Sequence, residues 1–110
     1  ELKDLPILIL DRNLANVPKQ FKLFQNYPNP FNAETVIKYQ LPRDAHVKLV
    51  IYNSLGQKIK TLADKNQDAG IYSISWNGKN DDGRMIVSGI YLVRFEAGSF
   101  TENRKLILLK

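Results

Sequence analysis

The chain has no cysteine, and it has one histidine, one tryptophan and one methionine in 110 residues. Without cysteine there is no disulfide, no thiolate metal site and no sulfur nucleophile. The single imidazole, His46, cannot join others in a metal cluster, and its RDAH context reads as an exposed turn between strands. No Gly-x-Ser-x-Gly elbow accompanies the serines, and no Gly-rich phosphate loop ending in Lys-Ser/Thr occurs. These absences argue against an enzyme and against a bound cofactor. The longest apolar run near the start, LPILIL, falls far short of the roughly 20 residues that span a bilayer, so no transmembrane segment is expected. The net charge is +5, but the basic residues are scattered. With no dense basic run, recognition helix or RNA-binding aromatic signature, a nucleic-acid partner is not expected.

What is present is concentrated first in Gln25 to Asn32, QNYPNPFN, where two prolines and three asparagines surround two aromatics. Each proline fixes its own φ, removes a backbone donor and pushes the residue before it out of the helical region, so Tyr27 and Asn29 are expected to be extended. Asn26, Asn29 and Asn32 can bond nearby backbone and cap the turns. Around Pro28 and Pro30 this makes a rigid loop, and Tyr27 and Phe31 are both expected to plug one end of a hydrophobic core.

From Thr35 the apolar period is two, the signature of strands. Thr35, Ile37, Tyr39 and Leu41 share a face, and Pro42 ends that strand. Val47, Leu49 and Ile51 share another face. Val50 and Tyr52 make the opposite face of the same strand apolar too, as in a central strand. NSLG then turns the chain into Gln57 to Leu62 as a hairpin. Tyr72, Ile74 and Trp76 point inward between Ser73 and Ser75, while Tyr91, Val93 and Phe95 alternate with Leu92, Arg94 and Glu96. Ala97-Gly98-Ser99 turns into a last strand, about Phe100 to Leu109, with Leu106 and Leu108 on one face and Ile107 and Leu109 on the other. Short strands, frequent turn signals and no helical pattern predict an all-β, antiparallel β-sandwich of about seven strands.

Residues 1–19 read as a linker or the end of a preceding domain, with a possible strand at Leu5 to Leu10, and residues 20–110 as one compact domain. The start at Glu1, with no methionine or signal-peptide pattern, suggests a fragment of a longer precursor. The oxygen-rich WNGKNDDGR offers Asn77, Asn80, Asp81 and Asp82 as weak calcium candidates. Asn and Asp before glycine also suit a tight turn, and that is the reading the spacing favours. Gly70, Gly89 and Gly98 stand at strand boundaries.

Taken in order, QNYPNPFN, TVIKYQLP, VKLVIYNSLGQKIKTL, AGIYSISWNGKNDDGR, SGIYLVRFEAGSF and KLILLK resemble the type A C-terminal sorting domain of type IX secretion. The resemblance covers about Phe21 to Lys110. Ala33 stands where the family often has proline, and Asn77 where it often has aspartate. The resemblance implies an immunoglobulin-like fold and a non-catalytic signal domain, secreted or held at the cell surface after passing the periplasm and outer membrane. It also implies three partners: an outer-membrane translocon, a sortase that removes the domain, and a cargo domain upstream in the same precursor. Cleavage is expected within Asp11 to Gln20. Recognition is implied for the final strands, at Ser88, Gly89, Tyr91, Arg104, Lys105, Leu106, Leu108 and Lys110, and Asn26, Tyr27, Pro28, Asn29, Pro30, Phe31 and Trp76 are its structural motif. The physical rationale is a basic last strand offered at a sheet edge and read by strand addition and charge. A structural immunoglobulin-like module, similar to that of flagellar hook-capping proteins, is the alternative.

Overall fold

The computed structural model describes residues 17–110. The expected strand at Leu5 to Leu10 and most of the expected linker and cleavage region lie outside them. Seven strands follow in order: β1 (Lys22–Leu23), β2 (Thr35–Leu41), β3 (Ala45–Asn53), β4 (Lys58–Gln67), β5 (Gly70–Trp76), β6 (Gly89–Ala97) and β7 (Phe100–Leu108). They form two antiparallel sheets, β1-β2-β5 and β4-β3-β6-β7. The result is the expected immunoglobulin-like sandwich.

Alternation decides which side of each strand is buried. In β2, Thr35, Ile37, Tyr39 and Leu41 are all buried, and in β3 so are Val47, Leu49 and Ile51. Strand β6 contributes Tyr91, Val93, Phe95 and Ala97, and β7 contributes Leu106 and Leu108. Facing apolar stripes from two sheets make the core, because each sheet has only one face the other can cover. Aromatic rings line it lengthwise. Phe31 and Trp76 sit 5.5 Å apart at one end, and Tyr39 and Phe95 sit 5.0 Å apart nearer the other. The indole N–H of Trp76 is not stranded in this apolar setting, since it donates to Lys79 O at 2.9 Å.

Turn chemistry follows the side chains. In NSLG, Asn53 Oδ1 accepts from Leu55 N at 3.0 Å and Gln57 N at 2.9 Å, and Gly56 takes φ +82°, which a side chain would resist. Strand β4 runs on to Gln67, five residues past the expected hairpin. Its register against β3 shifts at two places, leaving Ile59 and Leu62 without partners. These bulges break the alternation on which the sequence expectation relied.

His46 is corrected from turn to strand: it is the second residue of β3, opposite Asn66. Both ring nitrogens face oxygens, Nδ1 to Asn66 Oδ1 at 2.8 Å and Nε2 to Asp64 Oδ1 at 2.7 Å. Only the doubly protonated ring satisfies both as donors, so the Asp64 bond first, and the Asn66 bond second, raise its pKa above the ordinary 6.5. A raised folded-state pKa adds stability that is fully present below the unfolded value and is lost as pH rises through the folded one. An NMR titration should therefore place the His46 midpoint above 6.5, and Asp64→Asn should lower it; an unchanged midpoint in that variant would refute the pairing. Trp76→Ala should cost roughly 3 to 5 kcal/mol by chemical denaturation, since it opens a cavity in a fully packed layer. A loss below about 1 kcal/mol would contradict its inward placement.

Candidate functional site: the loop-locked terminal strand

Strand β7 lies at the edge of its sheet, but its outer side is not open from Lys105 to Leu109. The Gln25 to Asn32 loop runs beside it. Phe31 N donates to Ile107 O at 2.8 Å, and Leu109 N donates to Phe31 O at 2.9 Å. Amide side chains complete the cover. Ile107 N donates to Asn29 Oδ1 at 2.9 Å, Gln25 Nε2 donates to Lys105 O at 2.8 Å, and Asn32 Nδ2 donates to Leu109 O at 3.2 Å. Proline cannot donate to a ladder, so asparagine and glutamine side chains supply the bonds that a regular neighbouring strand would make. Strand addition at this stretch of β7, the expected mode of recognition, is therefore corrected: those backbone groups are already paired.

The loop holds its shape by internal bonds. Asn26 is buried, and its Nδ2 donates to Thr35 Oγ1 at 2.9 Å and Pro28 O at 3.1 Å. Thr35 Oγ1 in turn donates to Pro28 O at 2.8 Å. Both peptide bonds preceding the prolines, at Tyr27-Pro28 and Asn29-Pro30, are cis. Phe31 plugs the core as expected, at 2% exposure, whereas Tyr27 is 81% exposed. This corrects the expected pair of plugs. Tyr27 bridges Val36, and Val36 points away from the core because its neighbours Thr35 and Ile37 point in. Cross-strand partners share a face, so Tyr27 must lie outside.

The other residues implied in recognition divide between structural and free roles. Arg104 Nε donates to Leu23 O at 3.1 Å and its Nη2 pairs with Glu102 at 3.1 Å, while Glu102 Oε1 accepts from Leu23 N at 2.7 Å. That clamp ties β7 to β1 across the sandwich. Lys110 N donates to Ser88 Oγ at 2.9 Å, and Lys110 Nζ reaches Ile86 O. Leu106 and Leu108 are core. Lys105 projects outward, exposed.

Tyr91 has a role that no single motif announced. Its hydroxyl donates back to Val87 O at 2.7 Å, and Tyr72 does the same to Asp68 O at 2.6 Å. In each case the ring lies over the glycine two residues earlier, where an added Cβ would meet the ring edge at 3.9 Å for Gly89 and 3.8 Å for Gly70. The duplicated string Gly-Ile-Tyr was the available signal: both copies fold a tyrosine corner at the start of a strand. Burial raises the Tyr91 hydroxyl pKa, so it stays a donor.

The four calcium candidates occupy one turn, and side-chain oxygens of three of them, Asn77, Asn80 and Asp81, are engaged with backbone. Asn77 Oδ1 accepts from Lys79 N at 3.2 Å, and Asn80 Oδ1 accepts from Asp82 N and Arg84 N, each at 3.0 Å. Asp81 Oδ1 accepts from Thr61 N at 3.1 Å, and Asp81 N donates to Ile59 O at 3.0 Å, which hooks the turn onto the bulged part of β4. Among the described residues no three His, Cys, Asp or Glu side chains gather in a metal-binding group.

Residues 29–99 match the FlgD Ig-like domain. The chain belongs to that family. Three solved structures share the fold of this FlgD Ig-like domain. Dimeric latent PorU from Porphyromonas gingivalis aligns at TM-score 0.65 and 18% identity over 84% of this chain and 9% of its own. PorZ of the same organism, described as an essential bacterial surface component of the type IX secretion system, aligns at 0.54 and 17% over 82% and 11%. FlgD from Pseudomonas aeruginosa aligns at 0.55 and 17% over 84% and 74%. The chain thus spans about a tenth of the PorU and PorZ chains. No curated protein sequence matches it significantly. Among the described residues no helix is long and apolar enough to cross a membrane.

If Asn29 serves as the surrogate strand partner of Ile107, Asn29→Ala should destabilise the domain by about 1 to 3 kcal/mol, the usual penalty for leaving a part-buried donor unpaired. Hydrogen exchange at the Ile107 amide should accelerate in the same variant. Wild-type protection at Ile107 would show that the loop is not what covers the strand.

Proposed function

We propose that this FlgD Ig-like domain is a non-catalytic sorting domain that directs a parent protein across the outer membrane by type IX secretion. On this reading a sortase removes it upstream of the sandwich and leaves the cargo at the cell surface. The observation that carries the proposal is the coupling of the first sequence piece to the last. The QNYPNPFN loop holds KLILLK in one register by six bonds of main chain and side-chain amide, the sixth from Asn29 Nδ2 to Lys105 O at 3.5 Å. Such an arrangement makes sense of why both pieces belong to one motif set, since a receptor could then read the terminal segment in a defined geometry. The fold likeness to part of PorZ, itself a type IX component, supports the same direction.

A structural assembly module is the second reading. Membership of the FlgD Ig-like family favours it, as does a likeness that takes in 74% of the FlgD chain. The two readings differ in what the domain does alone. An assembly module should form an ordered oligomer in sedimentation, whereas a sorting domain acts as a monomeric tag.

The deciding experiment fuses residues 1–110 to a periplasm-exported fluorescent protein in a type IX-competent bacterium and in a secretion-deficient strain. Release to the surface or medium only in the competent strain is the expected result. Fluorescence held equally in both periplasms, with the domain folded, would overturn the sorting reading.

A further inference from the structure

One end of the outer face of the β4-β3-β6-β7 sheet carries apolar side chains, while the other end, from His46 and Asp64 to Glu96 and Thr101, is polar. Antiparallel sheets of this kind ordinarily turn polar side chains to water on that side. Here the register instead builds a row Lys58–Tyr52–Leu92–Lys105, with two apolar residues between two lysines. Beside it Ile90 sits opposite Ile107, and on the other flank Val50 sits opposite Arg94. Ile90 is 54% exposed, Leu92 37% and, just past the strand, Leu109 55%. A depression of about 620 Å³ opens over this face, lined among others by Tyr52, Asn53, Ile90, Leu92, Arg94 and Lys105. Neighbouring exposed apolar side chains rimmed by polar ones are the pattern of an interaction surface.

We infer that this face docks an acidic, apolar peptide segment of a partner protein. Large apolar side chains would seat over Leu92, Tyr52 and Ile90, and carboxylates would face the lysines that end the row. Charge selects this occupant over a second copy of the chain. Two such faces packed about a twofold axis would bring Lys58 and Lys105 of each copy toward the cations of the other, a like-charge juxtaposition that disfavours the pairing. Glu96 does not relieve it, because it is held by Arg94 at 2.9 Å. The face also differs from the strand-edge mode excluded above for Lys105 to Leu109: it offers side chains, and beside the row the flanking edges are engaged, β7 by the Asn29 loop and β4 at Thr61 by Asp81. The inference goes beyond the sorting proposal, since the face is exposed in the isolated domain whichever assembly the domain serves.

The test titrates the isotopically labelled chain with the blocked peptide Glu-Leu-Glu-Phe-Glu-Leu-Glu, and with its counterpart in which lysine replaces glutamate, while recording amide shifts. The acidic peptide should perturb Tyr52, Ile90, Leu92, Lys105 and Ile107, and the basic one should not. Leu92→Thr and Lys105→Glu lie outside the core and should melt like wild type. Leu92→Thr should weaken binding at least about tenfold, a 1.4 kcal/mol effect, and Lys105→Glu should reduce the preference for the acidic peptide. Equal binding of both peptides, shifts confined to the Tyr27 side, no shifts at all, or a concentration-dependent dimer through this face would each overturn the inference. Because the readout needs no secretion machinery, its failure is separate from a failure of the sorting experiment.

Discussion

The structure depends on a backbone problem that the prolines create and the asparagines solve. A strand at a sheet edge exposes alternate N–H and C=O groups, and a proline-rich neighbour cannot pair with all of them. Here Phe31 contributes the main-chain bonds, and Gln25, Asn29 and Asn32 supply the rest from their side chains. Phe31 then enters the core against Trp76 because its backbone is pinned to Ile107 and Leu109. The same pinning determines the position of the chain's final residues. The loop is thus at once the cover of the last strand and the plug of the core.

The opposite edge is managed by different means with the same outcome. Strand β4 carries two bulges, and the Asn77 to Arg84 turn is hooked onto it by Asp81. Bulges and covering loops are the devices by which β-proteins avoid pairing edge to edge. The larger sheet is thus engaged at its edges along Lys105 to Leu109 and at Ile59 and Thr61.

Two tyrosine corners brace the strands on either side of this arrangement. Tyr72 is the third residue of β5 and Tyr91 the third of β6, each tethered to a carbonyl four residues back. The ring of Tyr91 also meets Trp76 edge-on at 6.2 Å. The corner therefore connects the turn before β6 to the aromatic end of the core, near the loop that carries Phe31. A residue implied in recognition turns out to be one that shapes the scaffold, and Arg104 is a second such case.

Sequence alone determined the inward faces of β2, β3, β5, β6 and β7 and the sandwich they form, because period-two burial is local and is written in side-chain polarity; the short β1 was not legible in it. Thr35, Ile37, Tyr39 and Leu41 show this in β2, as do Val93 and Phe95 in β6. Local turn chemistry was equally legible, with Asn53 and Asn80 holding the backbone of their own turns. Only the tertiary structure decided the rest. Tyr27 faces water because its partner Val36 does, His46 lies in a strand because Asp64 and Asn66 come alongside it, and β7 is closed because residues nearly eighty positions earlier reach it. The bulges in β4 hid the length of that strand, since a residue added to one side of a ladder shifts every later side chain to the other face. Pairing between distant segments is set by the packing of the whole domain, and no local pattern of residues carries it.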